Sequence, residues 1–274
     1  MKDIYAAPFL KEITSLTANM YRLGYNERNG GNISYMLEEE EVKEYLDINN
    51  VLREIPTGFD APTLKGKIFL VTGTGKYFKN IQTDPERNLG IVRIAEDGTT
   101  AQLLWGFNDG GRFTSEFPAH LMSHIARMEK DPENRVIMHA HPTYTLAMNH
   151  IHPLTEKDFT RTIWGMCTEC IVVFPDGIGV LPWMVCGNNE IGVATAEKMK
   201  DYRIVVWGLH GLFCAGKDLD EAFGLMETVE KAAQLYMLAT ASGSIINTIT
   251  DENLWATVER FQLEDMCRKD FLDL

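Results

Sequence analysis

Hydrophobic positions recur along the chain with two different periods, which predict helices and strands in a mixed order. From residue 8 to residue 23, apolar side chains return every three or four positions and Gly24 follows, so a helix is predicted there. The same period predicts helices at residues 114–129, 143–148, 188–200, 218–241 and from 251 past 261. Short apolar runs, most of them rich in β-branched residues, predict strands at residues 67–72, 89–95, 100–105, 136–138, 170–174, 178–181, 203–207 and 212–215.

The arrangement of these segments predicts a single α/β domain that spans residues 1–274. No repeat, low-complexity tract or linker divides the chain, and residues 47–65 are predicted to be an irregular excursion punctuated by proline and glycine. The predicted strands outnumber those of a simple strand–helix alternation, so we expect a mixed or antiparallel sheet. A chain of 274 residues is long enough to bury a large core.

Composition and charge exclude several classes of protein. The hydrophobic fraction of 45% and the charged fraction of 24% are typical of a soluble globular protein. A net charge of −13 argues against a nucleic-acid partner, because phosphate backbones are bound by clustered lysine and arginine. The N-terminus lacks the apolar segment of a signal peptide, and no apolar run approaches the roughly 20 residues of a membrane span. We therefore expect a cytoplasmic protein without a membrane partner.

The five cysteines are odd in number and show no spacing typical of a disulfide framework. Cys167 and Cys170 form a C-x-x-C pair, a spacing found in redox sites and in zinc sites. No second C-x-x-C pair completes a four-cysteine zinc site, and Cys170 opens one of the predicted apolar strands. We therefore interpret both residues as core cysteines.

The strongest candidate chemistry lies where two predicted strands end. His139 and His141 follow a buried run, and alternate residues of a strand face the same side, so both imidazoles can bind one cation. A buried structural histidine beside a loop histidine would give the same motif. His210 follows a second apolar strand and has glycines two positions before and one position after it, which permit close backbone approach. Three histidines at two strand ends match an open zinc site.

Three further motifs carry polar groups, although each has an ordinary structural explanation. Residues 29–32, Asn-Gly-Gly-Asn, are typical of a turn but also expose backbone amides that can bind an anion. Residues 72–76 follow a predicted strand and match neither nucleotide-binding fingerprint, yet they offer hydroxyls and free amides. Residues 114–116, Thr-Ser-Glu, resemble a helix cap. His120 and His124 lie four residues apart on that helix, without the rest of a metal motif.

Taken together, the motifs resemble those of a known family. Asn29-Gly-Gly-Asn32, Thr72-Gly-Thr-Gly75, Thr114-Ser-Glu116, His139-Ala-His141 and His210-Gly211 occur in the order of the class II aldolase/adducin-head family. Residues 25–32, 169–177 and 181–184 narrow the resemblance to one sugar-phosphate aldolase within it. The resemblance covers nearly the full chain. It implies a three-layer class II aldolase-like α/β fold, with a central, mainly antiparallel sheet between helices, assembled as a homotetramer with active sites near subunit boundaries.

The resemblance also implies roles for individual residues. One Zn²⁺ per subunit would be bound by His139, His141 and His210, with Glu116 as the catalytic carboxylate. Glu169 resembles a further acid/base carboxylate, contributed to a neighbouring subunit's site. The substrate phosphate would be bound by Asn29, Asn32, Thr74, Thr114 and Ser115. Thr74 stands where serine is expected, and the hydroxyl is retained.

The implied activity is zinc-dependent retro-aldol cleavage of a phosphorylated ketose to dihydroxyacetone phosphate and an aldehyde. Two alternatives use the same scaffold and the same three histidines: cleavage of another sugar phosphate, and epimerisation of a pentulose phosphate at carbon 4. A third alternative is a metal-free interaction module like the adducin head. A complete set of three histidines disfavours that reading, because such a module would not require it.

Overall fold

A computed structural model describes residues 1–274 and centres them on one nine-stranded sheet. The strands are β1 (Asn32–Leu37), β2 (Arg53–Pro56), β3 (Ile68–Thr72), β4 (Leu89–Ile94), β5 (Thr100–Gly106), β6 (Val136–Ala140), β7 (Gly179–Leu181), β8 (Ile204–Trp207) and β9 (Gly211–Gly216). Their order across the sheet is β2-β5-β4-β3-β1-β6-β9-β8-β7. Every neighbouring pair is antiparallel except β7 with β8, so the sheet is mainly antiparallel as predicted.

Eleven α-helices connect and cover the strands. They are α1 (Pro8–Arg22), α2 (Glu39–Lys43), α3 (Phe78–Ile81), α4 (Pro85–Asn88), α5 (Phe117–Lys130), α6 (Thr143–Asn149), α7 (Glu156–Met166), α8 (Thr168–Val173), α9 (Asn189–Met199), α10 (Leu219–Ala241) and α11 (Asp251–Phe261). Short 3-10 helices occupy Ile4–Ala6, Pro62–Leu64 and Lys269–Phe271. None of the helices combines the length and the apolar character that crossing a bilayer requires.

Helices pack on both faces of the sheet, because successive strand residues point in opposite directions. In β3, Ile68 and Leu70 belong to a core cluster that includes residues of α1, α7 and α10. Phe69 and Val71 face the other side, in a cluster that contains Phe117 of α5. A third cluster joins α5 and α9 to β8 and β9. The predicted layering of a central sheet between two helical layers is confirmed.

Two predictions about local structure are wrong or incomplete. Residues 170–174 were expected to form a strand, but they lie largely in the helix α8. Burial explains the difference: Cys170 and Ile171 are fully buried in the core that α7, α10 and α11 share, where no strand is available for pairing. Tertiary packing there overrides the β propensity of Ile-Val-Val. The irregular excursion at residues 47–65 contains the edge strand β2, which ends at Pro56, where a missing backbone donor is tolerated.

The centre of the sheet determines where the polar motifs meet in space. Strand β6 lies between β1 and β9, and His139 is paired with Asn32 on one side and with Phe213 on the other. Strand β3 lies on the far side of β1 and ends at Thr72. The polar ends of β1, β3, β6 and the β8–β9 turn are therefore adjacent.

Candidate active site

Three imidazoles form a compact triangle at the end of β6. The ring centroids of His139 and His141 are 5.1 Å apart, and those of His210 lie 4.9 Å from His139 and 5.3 Å from His141. One potential ligand atom of each ring lies within 4.8 Å of the others. The structure thus brings together the three histidines that the sequence predicted as ligands.

Hydrogen bonds to the outer nitrogens orient two of these rings. His139 Nδ1 is 3.0 Å from the carbonyl oxygen of Leu212, and His141 Nδ1 is 2.9 Å from a carboxylate oxygen of Glu27. Both acceptors require a proton on Nδ1, which leaves Nε2 of each ring with a lone pair. Both Nε2 atoms are buried and have no hydrogen-bond partner. Orphaned, adjacent imidazole nitrogens fit a divalent metal ion, and a carboxylate or carbonyl behind each ring is the usual support.

The third histidine is presented by a tight turn between β8 and β9. Leu209 adopts a left-handed conformation with φ 58°, which costs a non-glycine residue about 1–2 kcal/mol. Its backbone N–H donates to Oδ1 of Asn149 at 3.1 Å, so a buried side chain stabilises the turn. A Cβ added at Gly211 would lie 2.7 Å from Cε1 of His139. Glycine is therefore required there for the turn to approach the ring.

The loop at residues 26–32 packs directly on the triad. A Cβ at Gly30 would lie 2.8 Å from Cε1 of His141. Gly31 has φ 75°, and a Cβ there would lie 2.7 Å from the carbonyl oxygen of His139. The Asn26 side chain donates to the Gly30 carbonyl at 3.0 Å and holds the loop closed. The two glycines of the Asn-Gly-Gly-Asn motif thus serve a close approach to the histidines as well as a turn.

Burial keeps His139 and His210 neutral by lowering the pKa of each ring. It lowers the pKa of His139 well below the ordinary value, and the neighbouring His141 adds to this effect. It also lowers the pKa of His210 to about 4. Neutral imidazole is the form that binds metals, so these two rings need not lose a proton before binding an ion at neutral pH.

Glu116 lies beside the triad, directly before α5. Its Oε2 is 3.9 Å from Nε2 of His139 and accepts a hydrogen bond of 2.7 Å from the side-chain amide of Asn32. Burial raises the pKa of Glu116, and the hydrogen bond from Asn32 opposes that shift. A largely buried carboxylate next to three imidazoles that could hold a metal ion is suited to moving protons on a bound substrate.

The predicted phosphate-binding residues lie in segments that the fold brings together. Residues 72–74 pair with residues 112–114: the N–H of Thr74 donates to Arg112 and the N–H of Thr114 donates to Thr72, both at 2.9 Å. Thr72 Oγ1 in turn accepts from the N–H of Ile33 at 3.0 Å, which joins this pair to the start of β1. Asn32 and Thr114 are buried, Thr74 is half-buried, and Asn29 and Ser115 are exposed.

The other predicted carboxylate, Glu169, stands apart from the triad within one chain. It is exposed on α8, where the thiol of Cys167 donates to its carboxylate at 2.7 Å. That hydrogen bond is the main cause of a lowered pKa of Glu169. None of the hydrogen bonds of Glu169 leads to the histidines.

Comparisons with known proteins agree with this geometry. Residues 11–237 match the family described as Class II Aldolase and Adducin N-terminal domain. The chain belongs to the class II aldolase and adducin family. Among its relatives, a rhamnulose-1-phosphate aldolase of Listeria monocytogenes is 58% identical, with 96% of each chain covered. A protein of the same name from Yersinia pestis is 42% identical over 97% of this chain and 98% of its own. A sugar-phosphate aldolase structure from Thermotoga maritima is 29% identical and superposes with a TM-score of 0.75, covering 86% of this chain and 97% of its own.

Two residues of this class II aldolase-family chain lie at the triad without having been predicted. Glu27 supports His141, and its sequence separation of 114 residues left no local signal. Cys186 places its thiol sulfur within 4.8 Å of a ligand atom of Glu116 and of His210. Cys186 follows the Leu-Pro-Trp-Met stretch, which was noted for the resemblance, but a single exposed cysteine carries no spacing signal.

Proposed function

We propose that the chain is a metal-dependent aldolase that cleaves L-rhamnulose 1-phosphate to dihydroxyacetone phosphate and L-lactaldehyde in L-rhamnose catabolism. The observation that carries the proposal is the triangle of three imidazoles beside Glu116. It occurs in a chain 42–58% identical, over nearly its full length, to proteins named rhamnulose-1-phosphate aldolase. The reaction class follows from the site, and the substrate follows from the relatives.

We assign His139, His141 and His210 as the ligands of one Zn²⁺ per subunit. The bound ion would supply Lewis-acid stabilisation of the negative charge that develops on the substrate oxygens during cleavage. Three neutral ligands leave the charge of the ion uncompensated, which suits that demand. The alternative route to the same carbanion requires a lysine that forms a Schiff base, and a metal ion bound at this site makes that lysine unnecessary.

We assign Glu116 as the acid/base residue. Its carboxylate would move the proton at the substrate carbon that becomes nucleophilic when the carbon–carbon bond breaks. The contact with Asn32 directs Oε2, at 2.7 Å from the amide nitrogen, toward the triad. Burial excludes water from this carboxylate, which is 8% exposed, and so favours proton exchange with substrate over proton exchange with solvent.

We assign the phosphate group of the substrate to Asn29, Asn32, Thr74, Thr114 and Ser115. These residues offer amide and hydroxyl donors together with the free backbone N–H groups of the glycine-containing turns. All of them are uncharged, so they can orient a phosphate without placing a fixed cation beside the metal ion.

We further propose that residues 1–274 form one domain, that four copies assemble into a homotetramer, and that Glu169 acts in a neighbouring subunit's site. The continuous sheet from residue 32 to residue 216 supports the single domain. The exposed position of Glu169, away from its own triad, supports a role across a subunit boundary. Because the substrate is a charged metabolite, we place the reaction in the cytoplasm.

The experiment that tests this function is release of dihydroxyacetone phosphate from L-rhamnulose 1-phosphate, before and after treatment with a chelator. We expect release that stops on chelation and returns with Zn²⁺. Release that survives complete metal removal would contradict the metal-dependent mechanism. A folded, zinc-loaded protein that cleaves only another ketose 1-phosphate would redirect the substrate assignment and keep the reaction class.

The Glu116→Gln variant tests the assigned acid/base residue in the same assay. We expect turnover to fall by about 10²–10⁴-fold, the range for loss of a general acid or base, with zinc content unchanged. Glutamine retains the shape and one acceptor for Asn32, so the site should stay folded. Unchanged turnover would remove Glu116 from the mechanism.

A further inference from the structure

A chain of hydrogen bonds runs from the interior of the protein to the Glu116 carboxylate. Nε2 of His124 lies 2.8 Å from Oγ of Ser34, and the same oxygen lies 2.8 Å from Nδ1 of His120. Nε2 of His120 is hydrogen-bonded to Oδ1 of Asn32, whose amide nitrogen lies 2.7 Å from Glu116. All five residues are buried, and three of them are fully inaccessible to solvent. We call these five residues the relay.

The relay is built from two regular elements with matching periods. Glu116, His120 and His124 recur every four residues at the start and along one face of α5, and the N–H of His120 donates to the Glu116 carbonyl. Asn32 and Ser34 are two residues apart in β1 and therefore point to the same face. Helix and strand residues alternate along the relay.

The direction of every hydrogen bond in the relay follows from its last member. Because the carboxylate of Glu116 accepts, the amide nitrogen of Asn32 donates, and its carbonyl oxygen must accept from His120. Burial lowers the pKa of His120 well below the ordinary value, so the ring is neutral and carries its proton on Nε2. Its Nδ1 then accepts from the hydroxyl of Ser34, which in turn accepts from Nε2 of His124.

The far end of the relay is consistent with that direction. Burial lowers the pKa of His124 to about 3, so this ring is neutral and Nε2 carries its proton. Its Nδ1 must then hold a lone pair, and this atom is buried without a partner. When every group of the relay donates toward Glu116, the first ring, His124, has no donor before it, so its Nδ1 is expected to lack a partner. The ring of His124 packs against Phe69 and that of His120 against Phe213, with centroids 5.0 and 5.1 Å apart. Two buried polar rings cost desolvation that apolar residues would avoid, which argues for a role beyond packing.

We propose that His120, supported through Ser34 by His124, is a positioning residue that holds the Asn32 amide with its NH₂ group toward the active site and thereby fixes Glu116. If the amide rotated by 180°, its oxygen would face the carboxylate oxygen, and two acceptors would repel each other. A fixed NH₂ group donates one proton to Glu116 and has a second N–H available in the site. This inference rests on the proposed role of Glu116, but its structural content is independent of the substrate.

The first test compares His120→Phe with His120→Gln in the metal-loaded enzyme. Phenylalanine fills the space without a donor. We expect kcat for L-rhamnulose 1-phosphate to fall about 10- to 100-fold, the range for loss of an outer-shell residue of a metal site. Glutamine can donate to Asn32 and accept from Ser34, so it should restore most of kcat. Zinc content should be unchanged in both. If the wild-type enzyme is active and His120→Phe has the same kcat, the proposal is overturned.

The second test reads the proton positions directly, so a fold defect in one variant does not decide the outcome. Nitrogen-15 NMR of the histidine rings in the wild-type, zinc-loaded protein should show Nε2–H with unprotonated Nδ1 for both His120 and His124. Ser34→Ala should alter both ring signals, whereas His150→Gln, at an exposed position, should alter neither. A proton on Nδ1 of His120 would overturn the proposed direction.

The two tests also separate this inference from the proposed function. A wild-type protein that fails to cleave L-rhamnulose 1-phosphate contradicts the function, and the ring protonation states still decide whether the relay exists. A wild-type protein that cleaves the substrate but has a differently protonated His120 retains the function and loses the relay.

Discussion

Two pairs of histidines lie close together in this molecule and have opposite chemical roles in our interpretation. His139 and His141, two residues apart at a strand end, are held by their Nδ1 atoms and have free Nε2 atoms. His120 and His124, four residues apart on a helix, use their Nε2 atoms in hydrogen bonds within the protein. Spacing suggested a metal site for either pair, and the partner of the second nitrogen distinguishes them.

The comparison shows what a metal site requires beyond the right residue types. A ligand ring is usually held by a carbonyl or carboxylate at the nitrogen that does not bind the metal, because that contact fixes the tautomer and aims the lone pair. The strand pair has such acceptors in Leu212 and Glu27. In the helix pair, a hydroxyl and an amide occupy both nitrogens of His120, and His124 retains only Nδ1, so this pair offers one unpartnered nitrogen instead of two.

The largest effect should come from removing one ring of the triad. We expect His139→Ala to lose bound zinc and to reduce cleavage by about 10³-fold or more, since Lewis-acid stabilisation is worth several kcal/mol. The matched variant His124→Leu should retain zinc. Metal analysis and turnover of the two proteins would decide between the roles. Equal zinc contents in both would break the comparison.

A smaller effect on zinc binding is expected from changing the carboxylate that accepts from Nδ1 of His141. Replacing Glu27 by Gln removes the charged acceptor at Nδ1 of His141, and loss of such a group weakens metal binding by about 10- to 100-fold. Competition with a chelator of known affinity measures the change. Glu133→Gln, which changes an exposed carboxylate in the turn after α5, serves as the control. An unchanged zinc affinity in Glu27→Gln would show that the Leu212 contact alone is sufficient.

The smallest effect concerns acid stability. In the folded protein the pKa of His124 is about 3, against 6.5 for the free side chain, so below pH 6.5 the unfolded chain binds more protons. The free energy of unfolding therefore falls as the pH drops, by up to about 1.4 kcal/mol per pH unit from this residue. Denaturant unfolding of metal-free protein at pH 6.5 and at about pH 5.5 should show a shallower fall in His124→Leu than in wild type. Identical slopes would mean that His124 is protonated in the folded state.

The sequence was most informative where a periodic pattern ended in a polar motif. Helix α1 occupies residues 8–22 of the predicted 8–23. As expected, the first two histidines lie at the end of β6, with His139 inside the strand and His141 directly after it. The triangle could be predicted because each histidine follows an apolar strand. The prediction of a strand at residues 170–174 was wrong because a short apolar run fits a buried helix as well as a strand.

Other parts of the site had no local signal. The bond from His141 to Glu27 and that from Asn32 to Glu116 join residues 114 and 84 positions apart, so only the register of the sheet reveals them. The role of Glu169 stays a prediction, because it concerns a contact between subunits. The roles of Glu116 and of the phosphate-binding residues also stay predictions. The structure shows that these residues lie close together, whereas a catalytic or binding role is established by measuring how a substitution changes the rate or the affinity.

The position of β6 at the middle of the sheet has a consequence for how the protein acquires its metal. The triad needs residues 139, 141 and 210, supported by a loop before residue 32, so distant parts of the chain must pair before a complete set of ligands exists. Contacts of such long sequence separation form late in folding. A newly synthesised chain therefore cannot hold the ion until β9 has joined β6, and afterwards the ion stabilises only the folded form. In kinetic terms, we expect the metal to slow unfolding and leave the rate of folding almost unchanged.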